Sequence, residues 1–344
     1  MTPSSSTIRI GLVGFGYWGP MFVRNFEQIA GVEAAWVCDL DPERRAAVAQ
    51  RHPHVPVFDD LDDAFRAGAD AVVVATPPRT HEPLARRVLE AGMHVLVEKP
   101  IAMTGDEALA LGALAKQKNR TLMVGHILRY NPALKTIRTM IEDGDLGDLY
   151  YVTSTRVNLG RHHRDVNVIW DLGPHDLSAI LPLIGKRPDT VSAWGRPFIQ
   201  KGLEDVAFLY LRFPGGQVAH IHLSWLDPLK VRQMVVVGSK RMLVYDDVET
   251  TITLHDKSVD VIPHAGTLEE FRLAYRYGET HEIPVVPVEP LAVEIGHFAD
   301  CIRTGEEPVS GVAEGFDVVR VLEAAQASLD AGGVEVAINW PSSG

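Results

Sequence analysis

The sequence predicts an α/β protein with a doubly wound parallel sheet in its N-terminal part. An α+β domain with an open, mostly antiparallel sheet is expected to follow. Two observations carry this. Over the first 125 residues, short continuous apolar runs alternate with segments of helical periodicity, as parallel strands covered on both faces require. From about residue 190 to 254 the pattern turns to period-2 alternation broken by turn residues, as in strands with one solvated face.

Taken in order, strands are expected at 8–13, 33–38, 71–75, 94–97 and 121–125. The helices between them are expected at 20–29, 42–50, 82–91 and 106–118. A helix at 132–142 leads into a strand at 149–157 and an apolar helix at 176–183. Strands then follow at 191–194, 206–213, 217–224, 233–237 and 241–245, with Pro214-Gly215-Gly216 as a hairpin turn. Two amphipathic helices, 290–303 and 313–330, precede a last short strand at 334–338. A length of 344 residues suits two domains at roughly 150 residues each. We place them at 1–125 and 126–344, and expect the helices within 290–330 to pack back on the N-terminal domain.

Composition narrows the function classes. Apolar residues make up 46 %, enough for a sizeable core, and the formal net charge is −12. A uniformly acidic chain is a poor partner for nucleic acid and is repelled by an anionic membrane surface. No apolar stretch approaches the roughly 20 residues that span a bilayer. The polar opening MTPSSST lacks a signal core and reads as a disordered tail. Cys38 and Cys301 are far apart in apolar contexts, which fits a reducing, cytoplasmic setting rather than a disulfide framework. The histidine pairs His162-His163 and His52/His54 lack the ligand spacing of a catalytic zinc site, so no metal is expected.

The densest motif is Gly14-Phe15-Gly16-Tyr17-Trp18-Gly19, a G-x-G-x-x-G loop between the first apolar strand and the first helix. Asp39 ends the second strand, twenty residues after Gly19. This is the layout of a Rossmann dinucleotide site. Gly14 permits the turn, Gly16 lets a pyrophosphate approach the backbone, and Gly19 lets the helix sit close on the strand. Phosphates then meet unpaired N–H groups at the positive end of the helix. The loop residues Phe15, Tyr17 and Trp18 border the same space. A carboxylate at position 39 accepts from both ribose hydroxyls and repels a 2′-phosphate, which favours NAD over NADP. Arg44 and Arg45 follow closely and temper that preference.

Glu98-Lys99-Pro100 closes the fourth strand at its carboxyl end, where open α/β sheets bind ligands. A lysine there stabilises a developing alkoxide or moves a proton, or it is a solvated strand-end charge. A cis Pro100 would fix its direction. At this point the chain resembles the Gfo/Idh/MocA family of nicotinamide-dependent oxidoreductases. The resemblance rests on the glycine loop, Ala75-Thr76-Pro77-Pro78 with His81, Glu98-Lys99-Pro100, and the D-x-x-x-H pair Asp171 and His175. It implies a Rossmann domain, an α/β second domain whose open sheet mediates homodimers or homotetramers, and Lys99 as the catalytic lysine. It also implies that Thr76, Pro77, His81 and Glu98 line the cofactor.

Asp171 and His175 are four apart, so a helix through them would place both on one face. Gly173-Pro174 would make the stretch a helix start instead. A carboxylate beside an imidazole orients it and raises its proton affinity. Dehydrogenation of an alcohol needs a group that takes the hydroxyl proton. The resemblance gives His175 that role, with Asp171 as its orienter or a substrate ligand; helix capping and a buried structural histidine are the bland alternative. Trp170 either packs in the core or borders the nicotinamide.

The stretches 151–161, 165–170 and 224–232 resemble a branch of the family linked to nucleotide-sugar metabolism. Arg156, Arg161, Lys230 and Arg232 are candidate binders of a phosphate or a sugar carboxylate, with Asn167 beside them. Arg129 either faces the substrate or caps the next helix. The expected activity is hydride transfer between a sugar's secondary alcohol and NAD. Inositol, cyclitol and sugar-phosphate dehydrogenases are the alternatives within the enzyme class, and a non-catalytic dinucleotide-binding regulator is the alternative outside it.

Overall fold

The computed structural model describes residues 7–160, 162–263 and 271–341; the polar opening up to residue 6 and Arg161 lie outside them. The chain forms two compact units. One comprises Met1–Tyr130 and Val288–Glu323, the other Asn131–Pro287 and Ala324–Gly344.

The first unit opens with β1 (Ile8–Val13), α1 (Gly19–Gln28), β2 (Val32–Cys38), α2 (Pro42–Arg51), β3 (Val57–Phe58) and α3 (Leu61–Arg66). It continues with β4 (Ala71–Val74), α4 (His81–Glu90), β5 (His94–Glu98), α5 (Gly105–Lys118) and β6 (Leu122–Gly125). The six strands are parallel in the order β3-β2-β1-β4-β5-β6. The order reverses between β1 and β4, and the crevice at the carboxyl ends of these strands is where such sheets take ligands. The continuous apolar runs are strands because both sheet faces are buried: Val72, Val73, Val95, Leu96 and Val97 are all inaccessible. β3 and α3 escaped the sequence pattern. A two-residue strand has no periodicity to read, and α3 owes its start to Asp60, whose side chain accepts from the N–H groups of Asp62 and Asp63.

The second unit contains α6 (Pro132–Glu142), β7 (Leu149–Leu159), α7 (Val168–Ile184), β8 (Thr190–Arg196), β9 (Val206–Arg212), β10 (Val218–Ser224) and β11 (Leu226–Gly238). After these come β12 (Met242–Asp246), β13 (Thr251–Pro263) and β14 (Phe271–Ile283). The chain then returns to the first unit through α8 (Pro290–Thr304), runs along α9 (Val312–Asp330), and ends its regular structure in β15 (Val336–Ala337). The nine-stranded sheet has the order β14-β13-β12-β11-β7-β10-β9-β8-β15; only β7 and β10 pair in parallel. Its strands extend past residue 254, where the expected sheet stopped. β13 starts with the buried alternation of Ile252 and Leu254, but beyond it Val261, Tyr275 and Tyr277 are exposed among charges, so no such pattern marks the rest of the hairpin.

α7 is longer than expected, because Gly173 and Pro174 lie inside it rather than at its start. Asn167 caps it, accepting from Ile169 N–H at 3.2 Å and Trp170 N–H at 3.3 Å. In the first unit, Leu291, Ile295 and Phe298 of α8 join the core of Ile10, Phe22 and Phe26. Among the described residues no helix is long and apolar enough to cross a membrane.

Candidate active site

The loop after β1 uses its three glycines for three different reasons. Gly14 has φ +96°, and a Cβ there would meet the Ala75 carbonyl oxygen at 2.5 Å. A Cβ on Gly19 would meet the Phe15 ring at 2.8 Å, so its absence lets α1 close on the loop. Gly16 is different. A Cβ there would find only Arg44 Nη1, at 4.0 Å. Nothing among the described residues demands a glycine at 16, and the space it leaves can take an external group. α1 begins without a side-chain cap and without an acidic residue in its first turn, so its positive end is uncompensated. Phe15 is buried, whereas Tyr17 is exposed and Trp18 half-buried beside it.

Asp39 sits at the end of β2, buried, and ties the loop. Phe15 N–H donates to its Oδ2 at 2.6 Å and Asp41 N–H to its Oδ1 at 2.8 Å. Arg44 Nη1 is 3.5 Å from Oδ2. Each carboxylate oxygen keeps further acceptor capacity.

The turns after β4 and β5 are braced by one buried ring. His81 Nδ1 lies 2.7 Å from the Pro100 carbonyl oxygen, and its Nε2 lies 2.7 Å from that of Thr76. Thr80 Oγ donates to the Pro77 carbonyl at 2.7 Å and lies 2.7 Å from Thr76 Oγ, from which it accepts. Lys99 is half-buried at the carboxyl edge of the sheet, and the Lys99–Pro100 peptide is cis. Glu98 is buried and accepts from Lys99 N–H at 3.2 Å. Burial pushes its carboxyl up to about 7, against the lowering charge of Lys99. The facing residue on β6 is Gly125, where a Cβ would come within 3.2 Å of the Glu98 carboxyl.

In the second unit, Asp171 and His175 lie one turn apart on α7, so the helical spacing is real. Asp171 has two partners that the sequence did not reveal. Trp225 Nε1 donates to its Oδ2 at 3.0 Å, and His163 Nε2 is 3.6 Å from its Oδ1. The adjacent rings of His162 and His163 both pack on Trp225 rather than diverging, at centroid distances of 5.3 and 5.8 Å. The one local signal for this is Trp225 in the stretch that also carries Asp227, Lys230 and Arg232. Among the described residues no group of three His, Cys, Asp or Glu could hold a metal ion.

The expected substrate binders divide. Arg156 is buried, with Nε donating to Asp176 Oδ2 at 2.8 Å and Nη1 3.7 Å from Asp247. Arg129 Nε donates to Glu314 Oε2 at 2.8 Å, while His126 lies 3.0 Å from the other oxygen. Asn167 Nδ2 reaches Glu204 and Gln326, and Trp170 Nε1 donates to the same Gln326 at 3.2 Å, in the interior of the second unit. Arg156, Arg129 and Asn167 are thus engaged with the protein itself, as is Trp170. Arg232 is half-exposed, 3.9 Å from Asp247, and Lys230 is exposed.

A family model described as an oxidoreductase family with an NAD-binding Rossmann fold matches residues 8–126, and the GFO/IDH/MocA C-terminal domain matches residues 134–244. The chain belongs to the Gfo/Idh/MocA family. It is an oxidoreductase, and the open space at Gly16, the uncapped α1 and the buried Asp39 fit the dinucleotide for which this family is described. Among relatives, the chain is 28 % identical over 319 residues to a UDP-N-acetylglucosamine 3-dehydrogenase of Acidithiobacillus ferrooxidans, covering 92 % of this chain and 95 % of that one. It is 30 % identical over 228 residues to an inositol 2-dehydrogenase of Corynebacterium glutamicum, covering 64 % and 68 %. The solved structure of UDP-N-acetylglucosamine 3-dehydrogenase from Acidithiobacillus ferrooxidans matches with a TM-score of 0.80 at 26 % identity, covering 94 % of this chain and 98 % of that one.

Proposed function

We propose that this oxidoreductase is an NAD-dependent dehydrogenase or ketoreductase acting on a secondary alcohol of a sugar, with a nucleotide-linked sugar as the foremost substrate and C3 as the carbon oxidised. The observation that carries the reading is the glycine loop tied to Asp39, followed in the chain by Lys99 at a strand end and by the Asp171/His175 pair on one helix. Bound at the loop, NAD supplies the hydride acceptor. His175 takes the proton of the substrate hydroxyl, and Lys99 offsets the negative charge that grows on that oxygen. Asp171, held by Trp225, orients the imidazole or a substrate hydroxyl. Lys230 and Arg232 on β11 are the candidates for an anionic group of the substrate such as a diphosphate. The similarity over nearly the full length to a UDP-N-acetylglucosamine 3-dehydrogenase supports the nucleotide sugar. The match to an inositol 2-dehydrogenase makes a cyclitol the second reading.

The deciding test is NADH formation by the purified protein with UDP-N-acetylglucosamine, its uronate, glucose 6-phosphate and the inositols. Turnover of the UDP-sugars is expected; turnover of the inositols alone would move the protein to cyclitols. Lys99→Met is expected to abolish turnover while NAD still binds. Full activity in that variant would remove Lys99 from the chemistry. NAD binding with no turnover of any alcohol would favour a dinucleotide-binding regulator.

A further inference from the structure

Two arginines in the first turns of α2 were expected to temper the cofactor choice, and the structure gives them different work. Arg45 is spent on the turn before its own helix. Its Nη1 donates to the carbonyl oxygens of Asp39 at 2.9 Å and Leu40 at 2.8 Å, and its Nη2 lies 3.6 Å from Asp59. Arg44 lies between two carboxylates instead. Its Nη1 is 3.5 Å from Asp39 Oδ2, and its Nε is 3.4 Å from Asp41 Oδ2. The same Nη1 is the nearest atom, at 4.0 Å, to the place a Cβ on Gly16 would take. One guanidinium therefore borders both the glycine loop and the carboxylate at the end of β2. These are the places where a Rossmann sheet takes the pyrophosphate and the adenosine ribose. Half of the Arg44 side chain is exposed, whereas Asp39 is buried and pinned by the N–H groups of Phe15 and Asp41. Arg44 is the partner with room to move.

Asp41 uses its two oxygens differently. Oδ1 accepts Glu43 N–H at 2.9 Å and caps α2. Oδ2 faces Arg44. The Asp41 N–H donates to Asp39 Oδ1 at 2.8 Å, so this carboxylate is fixed beside the other by the backbone. Resting on the reading of the loop as an NAD site, we propose that Asp41 is a second specificity-determining residue for the cofactor, acting through Arg44. It holds the guanidinium against Asp39, so that two carboxylates face one cation where the ribose binds. A 2′-phosphate meets excess negative charge there and an arginine already engaged. A 2′-hydroxyl donates to Asp39 and asks nothing of Arg44. The contact between Arg44 and Asp41 is half-exposed, so it adds little to stability and its effect falls on affinity.

Fluorescence titration of NADH and NADPH onto the purified full chain, without substrate, is the test. Asp41→Ser keeps a side chain that caps a helix and removes the charge that faces Arg44. It is expected to melt like the wild type, to bind NADH within about twofold of it, and to bind NADPH about tenfold more tightly. Adding Arg44→Gln to Asp41→Ser is expected to cancel the NADPH gain, because the gain is the contact of Arg44 with the phosphate. An unchanged NADPH affinity in Asp41→Ser would overturn the proposal. So would a gain that survives Arg44→Gln, which would show loss of charge without a tether. Equal changes for the two cofactors would leave Asp41 as a helix cap only and would overturn it too. A wild type that prefers NADPH would sink the NAD reading, and the step in NADPH affinity from wild type to Asp41→Ser would still read the tether.

Discussion

At Gly14 and Gly16, two glycines of one motif face opposite demands. Gly14→Ala forces a Cβ against the Ala75 carbonyl at a positive φ, and is expected to cost about 1–3 kcal/mol of stability, read as a lower melting temperature. Gly16→Ala meets no protein atom closer than 4.0 Å and should melt like the wild type while binding NAD more weakly. A stable Gly14→Ala, or a Gly16→Ala with wild-type NAD affinity, would contradict these assignments. Asp39 carries the cofactor choice. Asp39→Ser removes the charge that repels a 2′-phosphate and frees Arg44, 3.5 Å away, to meet one. The ratio of NADP to NAD use should rise by about tenfold or more, equivalent to roughly 1.4 kcal/mol. An unchanged ratio would take Asp39 off the ribose.

At the scale of elements, α7 and the sheet it covers decide what Arg156 does. From β7 its guanidinium reaches Asp176 on α7, whose other oxygen accepts from Ser154 Oγ at 2.6 Å. Removing one partner of a buried ion pair strands the other. Arg156→Met is therefore expected to lose about 3–5 kcal/mol in chemical denaturation. If Arg156 instead clamps substrate, the variant keeps its stability and shows a raised KM. The motif could be read from the chain and the register could not. Asp171 and His175 were legible as a spacing, but the length of α7 was not, because Pro174 normally ends a helix. Here Asn167 caps the helix seven residues earlier, so the proline falls inside an already nucleated helix.

For the molecule as a whole, acid sensitivity has a traceable source. His94 accepts Thr121 N–H at 2.9 Å through Nδ1, and burial, then the Arg120 charge, push its imidazole from 6.5 down to about 4. A base with a depressed folded value stabilises above 6.5 and loses that contribution as pH falls toward 4. Glu98 runs the other way: its raised value, about 7 against 4.5, gives stability that is present at low pH and lost as pH rises toward 7. The test is therefore a difference. The melting temperature of wild type should fall more steeply than that of His94→Gln on acidification below about pH 6.5, and parallel curves would exclude His94. The second unit's sheet also leaves one face open. Trp194, Phe208 and Tyr210 are exposed there, and Phe208 stacks on His222 at 4.4 Å. We propose that this face joins copies of the chain into a dimer or tetramer. Phe208→Glu with Tyr210→Lys should then lower the mass seen by light scattering; an unchanged mass would place any assembly elsewhere.

The sequence by itself determined the parallel N-terminal sheet, the glycine loop with Asp39, the strand-end lysine and the period-2 sheet. Each of these is written in local periodicity or spacing, which a chain carries without its partners. Only the tertiary structure decided which charges are spent within the protein. Arg156, Arg129 and Asn167 look like ligands for a substrate until Asp176, Glu314 and Glu204 are brought beside them from 20, 185 and 37 residues away. It also decided that Trp225 and His163 hold Asp171. Which partner a polar side chain meets is a property of long-range contacts, and no local pattern encodes it.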